Sequence, residues 1–538
     1  MCLLQFRSSF SEAKIDGKKM DGKRTRCPKT GWRSAYAVFF LCAASVGSHG
    51  QTFNVLYRFG GADGAYPYDG LVQGMDGNFY GTTRFGGANT CIGNGCGTVF
   101  KITPGGILTT LYNFCGQPNC ADGYGPSGGL IQATDGNFYG TTEEGGASGY
   151  GTVFKITPLG TLTTLYSFCG QPNCGDGINP TAGLTQASDG NFYGTTFGGG
   201  GTGYGTVFKM TPGGTLTTLY NFCPGGLLPL GCTDGQTPQG GLIQATDGNL
   251  YGTTQAGGWM PGSYGTVFKI TRQGTFTTLY SFSGTDGRMP TARLAQATDG
   301  NIYGTTRWGG LYGYGTVFKI IPAGLLVSIH SFDRNDGAQP AAALVPATDG
   351  SLYGTAPDAG PNSYGTIFKM TTGGTLTTLH SFGGNIGAYP WGGLIQATDG
   401  KFYGTTSQTG SSNNNVGTVF SLDVGLPPPQ PALSGKIVYS PGQLTQSLTL
   451  TNTGKGEARN IWINVIALRT LGGSGRVTLT TPVLPLFLGD LAPGGSTAVP
   501  LSLTIPSTVM KFSITEAGNM QDVSGNTLNY SIGQVVLP

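Results

Sequence analysis

The sequence predicts an all-β protein, a seven-bladed β-propeller followed by an Ig-like β-sandwich. The motif TDGNFYGTT at residues 134–142 recurs, whole or nearly whole, in seven copies that are 50 to 59 residues apart. A period near fifty with glycine and aromatic signatures is typical of propellers and other repeat arrays. Glycine supplies 97 of the 538 residues, and aromatic and β-branched residues alternate between the glycines. This pattern favours many short strands joined by tight turns.

Residues 1–50 differ from the rest of the chain and predict a secretory signal peptide. They hold nine lysines and arginines, followed by an apolar run at 35–47 and small residues before Gln51. The run is too short to span a bilayer comfortably. Met20 is an alternative start, and a lipoprotein site at Cys42 is less favoured because a leucine precedes it. We therefore expect a secreted, periplasmic or cell-surface protein that is not an integral membrane protein after cleavage.

The charge balance and the motif content exclude several function classes. Beyond the leader the chain carries 20 basic against 23 acidic residues, so it lacks the basic surplus that neutralises nucleic-acid phosphates. It contains no HExxH, GxSxG, P-loop or dinucleotide fingerprint. We therefore predict no nucleic-acid partner, no cofactor, no metal and no catalytic residue, and an enzymatic activity is the less favoured alternative.

The eight cysteines beyond the leader occur as four short-range pairs. In a chain with a signal peptide, this pattern predicts disulfides. Zinc is the alternative, but zinc sites favour two to four intervening residues and further ligands, and this region of the chain offers only His330 and His380. The predicted disulfides are Cys91–Cys96, Cys115–Cys120, Cys169–Cys174 and Cys223–Cys232.

Each repeat divides into four strand-like pieces, which we label A to D from the axis outward. In the second repeat they are LIQAT (130–134), NFYGTT (137–142), GTVFKIT (151–157) and TLTTLYSF (161–168). Large and small residues alternate with the period of a strand, and Asp-Gly between A and B predicts a two-residue hairpin. Four antiparallel strands form one propeller blade.

The two ends of the repeat region predict that the ring closes on itself. A D-type strand, FNVLYRF (53–59), precedes every A, B and C strand, and the last repeat ends at its C strand, GTVFSLDV (417–424). Pairing of these two segments would complete the seventh blade and leave no open edge. We therefore predict a closed propeller over residues 51–424.

The segment lengths distinguish the two faces of this propeller. The A–B and C–D turns have the same length in every copy, whereas the B–C and D–A connections vary in length and contain all eight predicted disulfide cysteines. Insertions that collect on one face usually mark the binding face. We call the face that carries the B–C and D–A loops the variable face.

The repeat pattern stops after residue 424. A proline-rich linker, 425–432, includes LPPPQP. Residues 433–538 contain about seven short alternating strands without cysteine, which predicts an Ig-like β-sandwich.

The combination of LIQATDGNFYGTT, GTVFKIT and TLTTLYSF resembles the GloVer (Gloeobacter/Verrucomicrobium-type) tandem repeat over roughly residues 53–424. The resemblance implies export and a propeller-like fold, and it implies no particular activity. The glycine pair followed by an aromatic is also similar, more loosely, to kelch repeats. The C-terminal part has the look of bacterial Ig-like or adhesion modules.

Several repeated polar residues are expected to be structural. The aspartate of each Asp-Gly turn (Asp135 in the second repeat) suits turn geometry. A second series, DGxxP after strand D, is a turn motif first, with a calcium or ligand contact as the alternative; its seventh copy has Ile386 in place of aspartate. His330 and His380 stand where strand D otherwise has tyrosine.

Aromatic residues on the variable face are the candidate ligand-binding residues, because exposed aromatics suit stacking on sugar rings or anchoring of a protein partner. The alternative is that they cover their own blades. The predicted function is an exported recognition or adhesion module for carbohydrate or an extracellular protein. The alternatives are a polysaccharide-acting hydrolase or lyase with a carboxylate pair on the same face, and a structural envelope spacer. The candidates are Trp259, Trp308, Trp391, Tyr66, Tyr124 and Tyr389.

Overall fold

The structure is a computed structural model that describes most of the repeat region and the strands that follow it. The predicted signal peptide and residues 429–432 of the predicted linker lie outside the described residues. The described residues are 51–91, 94–225, 231–259, 262–409, 416–428, 433–438, 445–452, 458–474, 477–482, 486–491, 496–504, 509–521 and 527–536.

Seven four-stranded antiparallel sheets form the seven predicted blades. Strand β1 spans Thr52–Arg58, and the next 27 strands follow as repeated sets of A, B, C and D. Three 3-10 turns lie in D–A loops, at Pro118–Cys120, Pro172–Cys174 and Gly384–Ile386. The strands are, in blade 1, β2 Val72–Gln73, β3 Phe79–Thr83, β4 Thr98–Ile102 and β5 Leu108–Asn113; in blade 2, β6 Ile131–Gln132, β7 Phe138–Thr142, β8 Thr152–Ile156 and β9 Leu162–Ser167; in blade 3, β10 Thr185–Gln186, β11 Phe192–Thr196, β12 Thr206–Met210 and β13 Leu216–Asn221; in blade 4, β14 Ile243–Gln244, β15 Leu250–Thr254, β16 Thr266–Ile270 and β17 Phe276–Ser281; in blade 5, β18 Ala295–Gln296, β19 Ile302–Thr306, β20 Thr316–Ile320 and β21 Leu326–Ser331; in blade 6, β22 Val345–Pro346, β23 Leu352–Ala356, β24 Thr366–Met370 and β25 Leu376–Ser381; and in blade 7, β26 Ile395–Gln396, β27 Phe402–Thr406 and β28 Thr418–Asp423.

The A–B turn differs from the predicted two-residue hairpin. In blade 2 the Ala133 N–H donates to Asn137 O at 2.9 Å, and the Gly136 N–H donates back to Ala133 O at 2.9 Å. The loop therefore has three residues, and only Gly136 has a positive φ, of 79°, as in the common three-residue hairpin. Strand A is shortened to Ile131–Gln132 because the residues after it already belong to this turn.

The N-terminal strand closes the ring as predicted. Strand β1 pairs antiparallel with β28, from Thr52 opposite Asp423 to Arg58 opposite Thr418. The register shifts between Val55 and Tyr57, and the D strands of the other six blades carry a register shift at the same place. The first strand is therefore a D strand, both in its pairing partner and in the position of its register shift.

The hydrophobic core is distributed between blades. Seven clusters of buried residues each combine side chains of two neighbouring blades. In four of the seven interfaces the strand-B tyrosine packs on the strand-B phenylalanine of the next blade, as Tyr80 does on Phe138 with ring centroids 4.0 Å apart. Tyr403 of blade 7 contacts Phe79 of blade 1 in the same way, at 4.1 Å. The interface between the first and last blades thus has the same ring contact as three of the others.

A glutamine in strand A links neighbouring blades on the face with the tight turns. Gln132 Oε1 of blade 2 accepts the Met75 N–H of blade 1 at 2.9 Å. Gln73 Oε1 of blade 1 accepts the Thr398 N–H of blade 7 at 2.9 Å and so spans the closure. The LIQAT motif contains this glutamine, but its role depends on the adjacent blade and was not predicted.

The C-terminal residues form two four-stranded antiparallel sheets. One has the order β29-β30-β34-β32 and the other β33-β31-β35-β36. No helix in the described residues is long and apolar enough to cross a membrane. The strands are β29 Leu433–Val438, β30 Thr445–Asn452, β31 Ala458–Gly473, β32 Thr478–Thr481, β33 Leu486–Leu491, β34 Ser496–Thr504, β35 Val509–Gln521 and β36 Thr527–Val536.

Candidate functional site

The D–A loops join neighbouring blades at the variable face through one residue each. In the loop before blade 3, the Asn179 N–H donates to Tyr150 O of blade 2 at 2.9 Å, and Asn179 O accepts the Phe197 N–H of blade 3 at 3.0 Å. This residue precedes a proline and has a positive φ in all seven loops. Left-handed backbone at non-glycine residues is strained and often occurs at functional sites. The seven residues are Tyr66, Gly125, Asn179, Thr237, Met289, Gln339 and Tyr389.

The DGxxP aspartates brace the same loops. Asp122 is fully buried; it accepts the Tyr112 hydroxyl of strand D at 2.8 Å and the Gly116 N–H at 2.9 Å. Asp336 contacts His330 Nε2 at 2.7 Å, so the histidine replaces the tyrosine of the other blades. These contacts support the interpretation of DGxxP as a turn motif.

Disulfides provide further support at the variable face. The eight cysteines are joined in the four predicted local pairs, with Cα–Cα distances between 4.0 and 5.1 Å. Three sulfur atoms, of Cys91, Cys115 and Cys120, lie within 4.8 Å of one another. All three belong to disulfides, and a disulfide sulfur is not the thiolate that binds metals.

The three residues that precede the strand-A leucine in each repeat meet around one cavity. We call these segments the axial triplets. They line a cavity of about 370 Å³, together with B–C loop residues such as Arg84, Glu143 and Arg307. Equivalent residues of all seven repeats contribute, so the cavity lies on the propeller axis at the variable face. The axial triplets are residues 68–70, 127–129, 181–183, 239–241, 291–293, 341–343 and 391–393.

Two acidic residues of the cavity are already engaged by protein groups. Glu143 Oε2 lies 2.6 Å from Arg84 Nη2; burial raises the pKa of Glu143, and Arg84 opposes that shift. Asp69 accepts the Gly70 N–H at 2.6 Å. Burial raises the pKa of Asp69, whereas the N–H groups of Gly70 and Gly129 and the charge of Arg293 lower it.

Arg293 crosses the floor of the cavity between blades. Its Nε donates to Leu242 O at 2.9 Å, and its Nη2 donates to Thr185 Oγ1 at 3.0 Å. The side chain is exposed to the cavity. Partial desolvation by the cavity walls lowers the pKa of Arg293, and the negative charge of Asp69 opposes this. The two hydrogen bonds thus hold a cation in the lining of the cavity.

A second arginine of the lining, Arg307, packs against an aromatic ring. The Arg307 guanidinium carbon is 4.7 Å from the centre of the Trp391 ring, and Arg307 Nε donates to Gln339 Oε1 at 3.1 Å. Gln339 Nε2 in turn donates to Asp358 Oδ2 at 2.9 Å. This chain of contacts fixes the orientation of Trp391, and Tyr68 supplies a second aromatic ring to the lining.

The structure places one of the six candidate aromatics, Trp391, in the cavity lining. Trp259 is 53 % exposed on a B–C loop, and Trp308 pairs through its backbone with Arg288. The tyrosines that were candidates are half-buried among their own loops: Tyr124 donates its hydroxyl to Glu144, Tyr66 packs edge-on against Phe85, and Tyr389 packs edge-on against Tyr364.

The sequence model of the Gloeobacter/Verrucomicrobia repeat matches the chain twice, over residues 34–231 and 227–420. These matches cover more than half of the chain. The chain belongs to the Gloeobacter/Verrucomicrobia repeat family.

Several solved structures resemble this Gloeobacter/Verrucomicrobia repeat protein distantly. A candidate 6-phosphogluconolactonase from Bacteroides fragilis is 19 % identical, with a TM-score of 0.39, over 64 % of this chain and 92 % of that one. One from Bacteroides uniformis is 16 % identical, with a TM-score of 0.40, over 66 % and 100 %. A protein of unknown function from Dyadobacter fermentans is 12 % identical, with a TM-score of 0.35, over 70 % and 99 %. Likenesses this distant carry no argument about function. No curated protein matches the sequence.

The Gloeobacter/Verrucomicrobia repeat sequence alone did not predict that the axial triplets line a site. A signal was nevertheless present, because these positions vary where the flanking repeat hardly changes. The residue before the strand-A leucine is glycine in five copies and alanine in one, but arginine in the fifth repeat. Such departures become meaningful once the ring brings equivalent positions together.

The turn aspartates of the Gloeobacter/Verrucomicrobia repeat lie on the opposite face and hold their own hairpins. Asp76 accepts the Tyr80 hydroxyl at 2.9 Å and Lys101 Nζ at 2.7 Å. Although burial raises the pKa of Asp76, hydrogen bonds from Lys101, Asn78 and Tyr80 lower it to about 2. This arrangement supports turn geometry as the role of the series.

Strand D of blade 6 predicts a pH-dependent stability. His380 Nε2 is buried without a hydrogen-bond partner in the part of the chain that the structure describes, because Ile386 replaces the usual aspartate. Burial lowers the pKa of His380 to about 4. The unfolded chain, with a histidine pKa of about 6.5, then binds the proton more readily, so stability is complete above pH 6.5 and falls as the pH drops toward 4. After allowance for solvent screening, we expect a loss of about 1–2 kcal/mol.

Urea unfolding at pH 7 and pH 4.5 measures this loss. Replacement of His380 by phenylalanine removes the titrating group and keeps a ring against Phe53, whose centroid lies 3.8 Å from that of His380. The variant should lose about 1–2 kcal/mol less than the parent between the two pH values. An Ile386→Asp change should have a similar effect by giving His380 a partner. Equal pH dependence in the parent and His380→Phe proteins would refute the assignment.

Proposed function

We propose that this protein is an exported recognition module that binds carbohydrate in the axial cavity of its propeller. The observation that carries the proposal is the convergence of the seven axial triplets, which vary between repeats, on one cavity of about 370 Å³. This volume falls within the range of about 300–1,000 Å³ that is usual for small-molecule sites. A site of this kind binds one end or one short segment of a glycan.

The chemistry of the lining supports a sugar ligand. The rings of Trp391 and Tyr68 offer aromatic surface for the C–H face of a sugar. Gln239 adds a polar side chain to the lining. Because the backbone around the cavity is fixed by hydrogen bonds between blades, these groups are already ordered before binding, which reduces the entropic cost of association.

A protein partner is the second candidate, and a different surface favours it. On the B–C loops of blades 4 and 5, Trp259, Leu311 and Tyr312 are 53 %, 77 % and 55 % exposed. Exposed aromatic and aliphatic side chains of this kind are common anchors of protein interfaces. This surface is separate from the cavity lining, so the two candidates can be tested with different variants.

The hydrolase or lyase alternative would use Asp69 and Glu143, the acidic residues of the cavity lining. Glu143 is paired with Arg84, and Asp69 is held by backbone N–H groups and by the charge of Arg293. A carboxylate committed to such partners suits structure and charge balance better than proton transfer. Binding without turnover is therefore the favoured function.

Two further proposals concern the setting of the propeller. The four disulfides support export, because disulfides persist in oxidising compartments. We also propose that the two C-terminal sheets form an Ig-like β-sandwich that serves as a spacer or attachment module. Their antiparallel four-stranded composition supports this assignment.

A glycan array followed by calorimetry tests the proposed function. We expect binding to at least one glycan class and a loss of about tenfold or more in affinity on Trp391→Ala, since aromatic anchors often contribute more than 1 kcal/mol. Trp259→Ala is the matched control and should bind like the parent. Loss in Trp259→Ala alone would move the site to the outer loops. Absence of glycan binding by the parent would refute the proposal, and release of shortened products would replace it with the enzymatic alternative.

A further inference from the structure

Arg293 departs from the repeat at a position where side chains are otherwise nearly absent. The equivalent residues in the other six repeats are five glycines and Ala343. The backbone is crowded there: a Cβ added at Gly183 would lie 2.8 Å from Gly129 O. The other repeats thus keep a small residue at this position, whereas the fifth repeat carries a long cationic side chain that reaches blades 4 and 3. A structural role in its own blade does not account for this choice.

The guanidinium of Arg293 is only partly satisfied by the protein. Its Nε and Nη2 atoms have the partners Leu242 O and Thr185 Oγ1. Among the described residues, Nη1 makes no hydrogen bond, and no carboxylate lies within the 4.0 Å of an ion pair. A guanidinium can donate five hydrogen bonds. Donors therefore remain for a ligand, in an orientation that the two existing bonds fix.

The charges around the cavity also favour an anion. The lining contains three arginines, Arg84, Arg293 and Arg307, against two carboxylates, Asp69 and Glu143. Glu143 neutralises Arg84 at 2.6 Å, and Asp69 is bound by backbone N–H groups. Asp358, outside the lining, acts on Arg307. Arg293 forms no ion pair among the described residues, and its side chain is exposed to the cavity, where an anion can reach it.

We infer that the axial cavity recognises an acidic glycan and that Arg293 binds an oxyanion of its sugar. The oxyanion is the carboxylate of a uronic acid or a sulfate ester, since both accept paired hydrogen bonds from a guanidinium. Trp391 and Tyr68 then contact the sugar ring to which the anion is attached. This inference rests on the proposed function and adds the class of its ligand.

Calorimetry with matched ligands tests the inference on the full chain. The probes are oligosaccharides of galacturonate, glucuronate and mannuronate, each beside its carboxyl-reduced neutral counterpart, and a sulfated galactan oligosaccharide beside its desulfated form. We expect the parent to bind an acidic probe at least about tenfold more tightly than its neutral counterpart, because charge-assisted hydrogen bonds are lost in the latter. A preference for a uronate over its reduced counterpart identifies the oxyanion as a carboxylate, and a preference for the sulfated galactan over its desulfated form identifies it as a sulfate ester.

Arg293→Gly is the informative variant, because glycine is the residue of five other repeats and should leave the fold intact. It should abolish the preference for the acidic probe and retain the weak affinity for the neutral one. Arg272→Ala, which removes an arginine near Asp189 on the opposite face, controls for total charge and should keep the preference. A parent that binds acidic and neutral probes equally would overturn this inference and leave the proposed function standing. A parent that binds none of the probes and no glycan on the array would overturn both.

Discussion

Deletion of residues 52–59 should cause the largest loss of stability of any short deletion in the propeller. Strand β1 supplies the whole outer strand of blade 7 through its pairing with β28. Its loss would expose the interface where Phe53 stacks near Phe420, with centroids 5.3 Å apart, and would remove the buried Phe59 from the core. Each of these aromatic rings contributes about 1.5–3 kcal/mol on burial. We expect a loss of more than about 5 kcal/mol, comparable to the total stability of many domains.

Thermal unfolding followed by circular dichroism measures this effect, with a melting temperature lowered by on the order of 10 °C or more. A synthetic peptide with the sequence of residues 51–60 should raise the melting temperature of the deletion variant in a concentration-dependent way, because it binds only the folded ring. A peptide with Phe53 and Phe59 replaced by aspartate is the matched control. An unchanged melting temperature after the deletion would show that the ring does not depend on this strand.

Gly140→Ala should have the second-largest effect, because strand B has no room for a side chain at this position. An added Cβ would lie 2.6 Å from Phe154 Cζ and 2.9 Å from Leu130 Cδ2, and both neighbours are buried. Neither contact is with a flexible surface group, so the clash must displace the core. Overpacking of this kind typically costs about 1–3 kcal/mol, and we expect about 2–3 kcal/mol.

Chemical denaturation of the single and double variants identifies the cause. Phe154→Leu shortens the side chain that blocks the added methyl group, so Gly140→Ala should cost less in the Phe154→Leu background than in the parent, by about 1 kcal/mol or more. Gly213→Ala is the control: its nearest atom, Thr211 Oγ1, is 3.9 Å from the added Cβ, and its φ is not positive. It should change stability by less than about 0.5 kcal/mol. Additive costs in the double variant would contradict the steric explanation.

The repeat sequence determines most of the architecture. Seven copies of one strand pattern predict seven blades, because the same alternation of buried and exposed residues forms the same set of strands in each copy. The early D-type strand at 53–59 and the missing one after 417–424 predict the closure that β1 and β28 form. The local cysteine pairs are likewise readable, since partners five to nine residues apart meet without help from the tertiary fold.

Details that depend on neighbouring blades could not be read from the repeat. Gln132, which links blade 2 to Met75 of blade 1, looks in the sequence like any polar residue of an exposed strand end. The glycine of FYGTT indicates close packing between strands, but it does not identify Phe154, whose ring lies where a side chain of Gly140 would be. In each case the partner lies on another strand or another blade, at a distance in sequence that no local pattern encodes.

The candidate site shows the same division. The variable face could be identified from the sequence, because insertions and cysteines collect in two of the four connections. The concave, charged part of that face could be located only once the blades were arranged in space. Ring closure brings Asp69, Arg293 and Trp391, more than 300 residues apart at the extremes, into the lining of one cavity. Symmetry explains this, because a closed ring places equivalent positions of all repeats around one axis, so that single departures from the repeat act together.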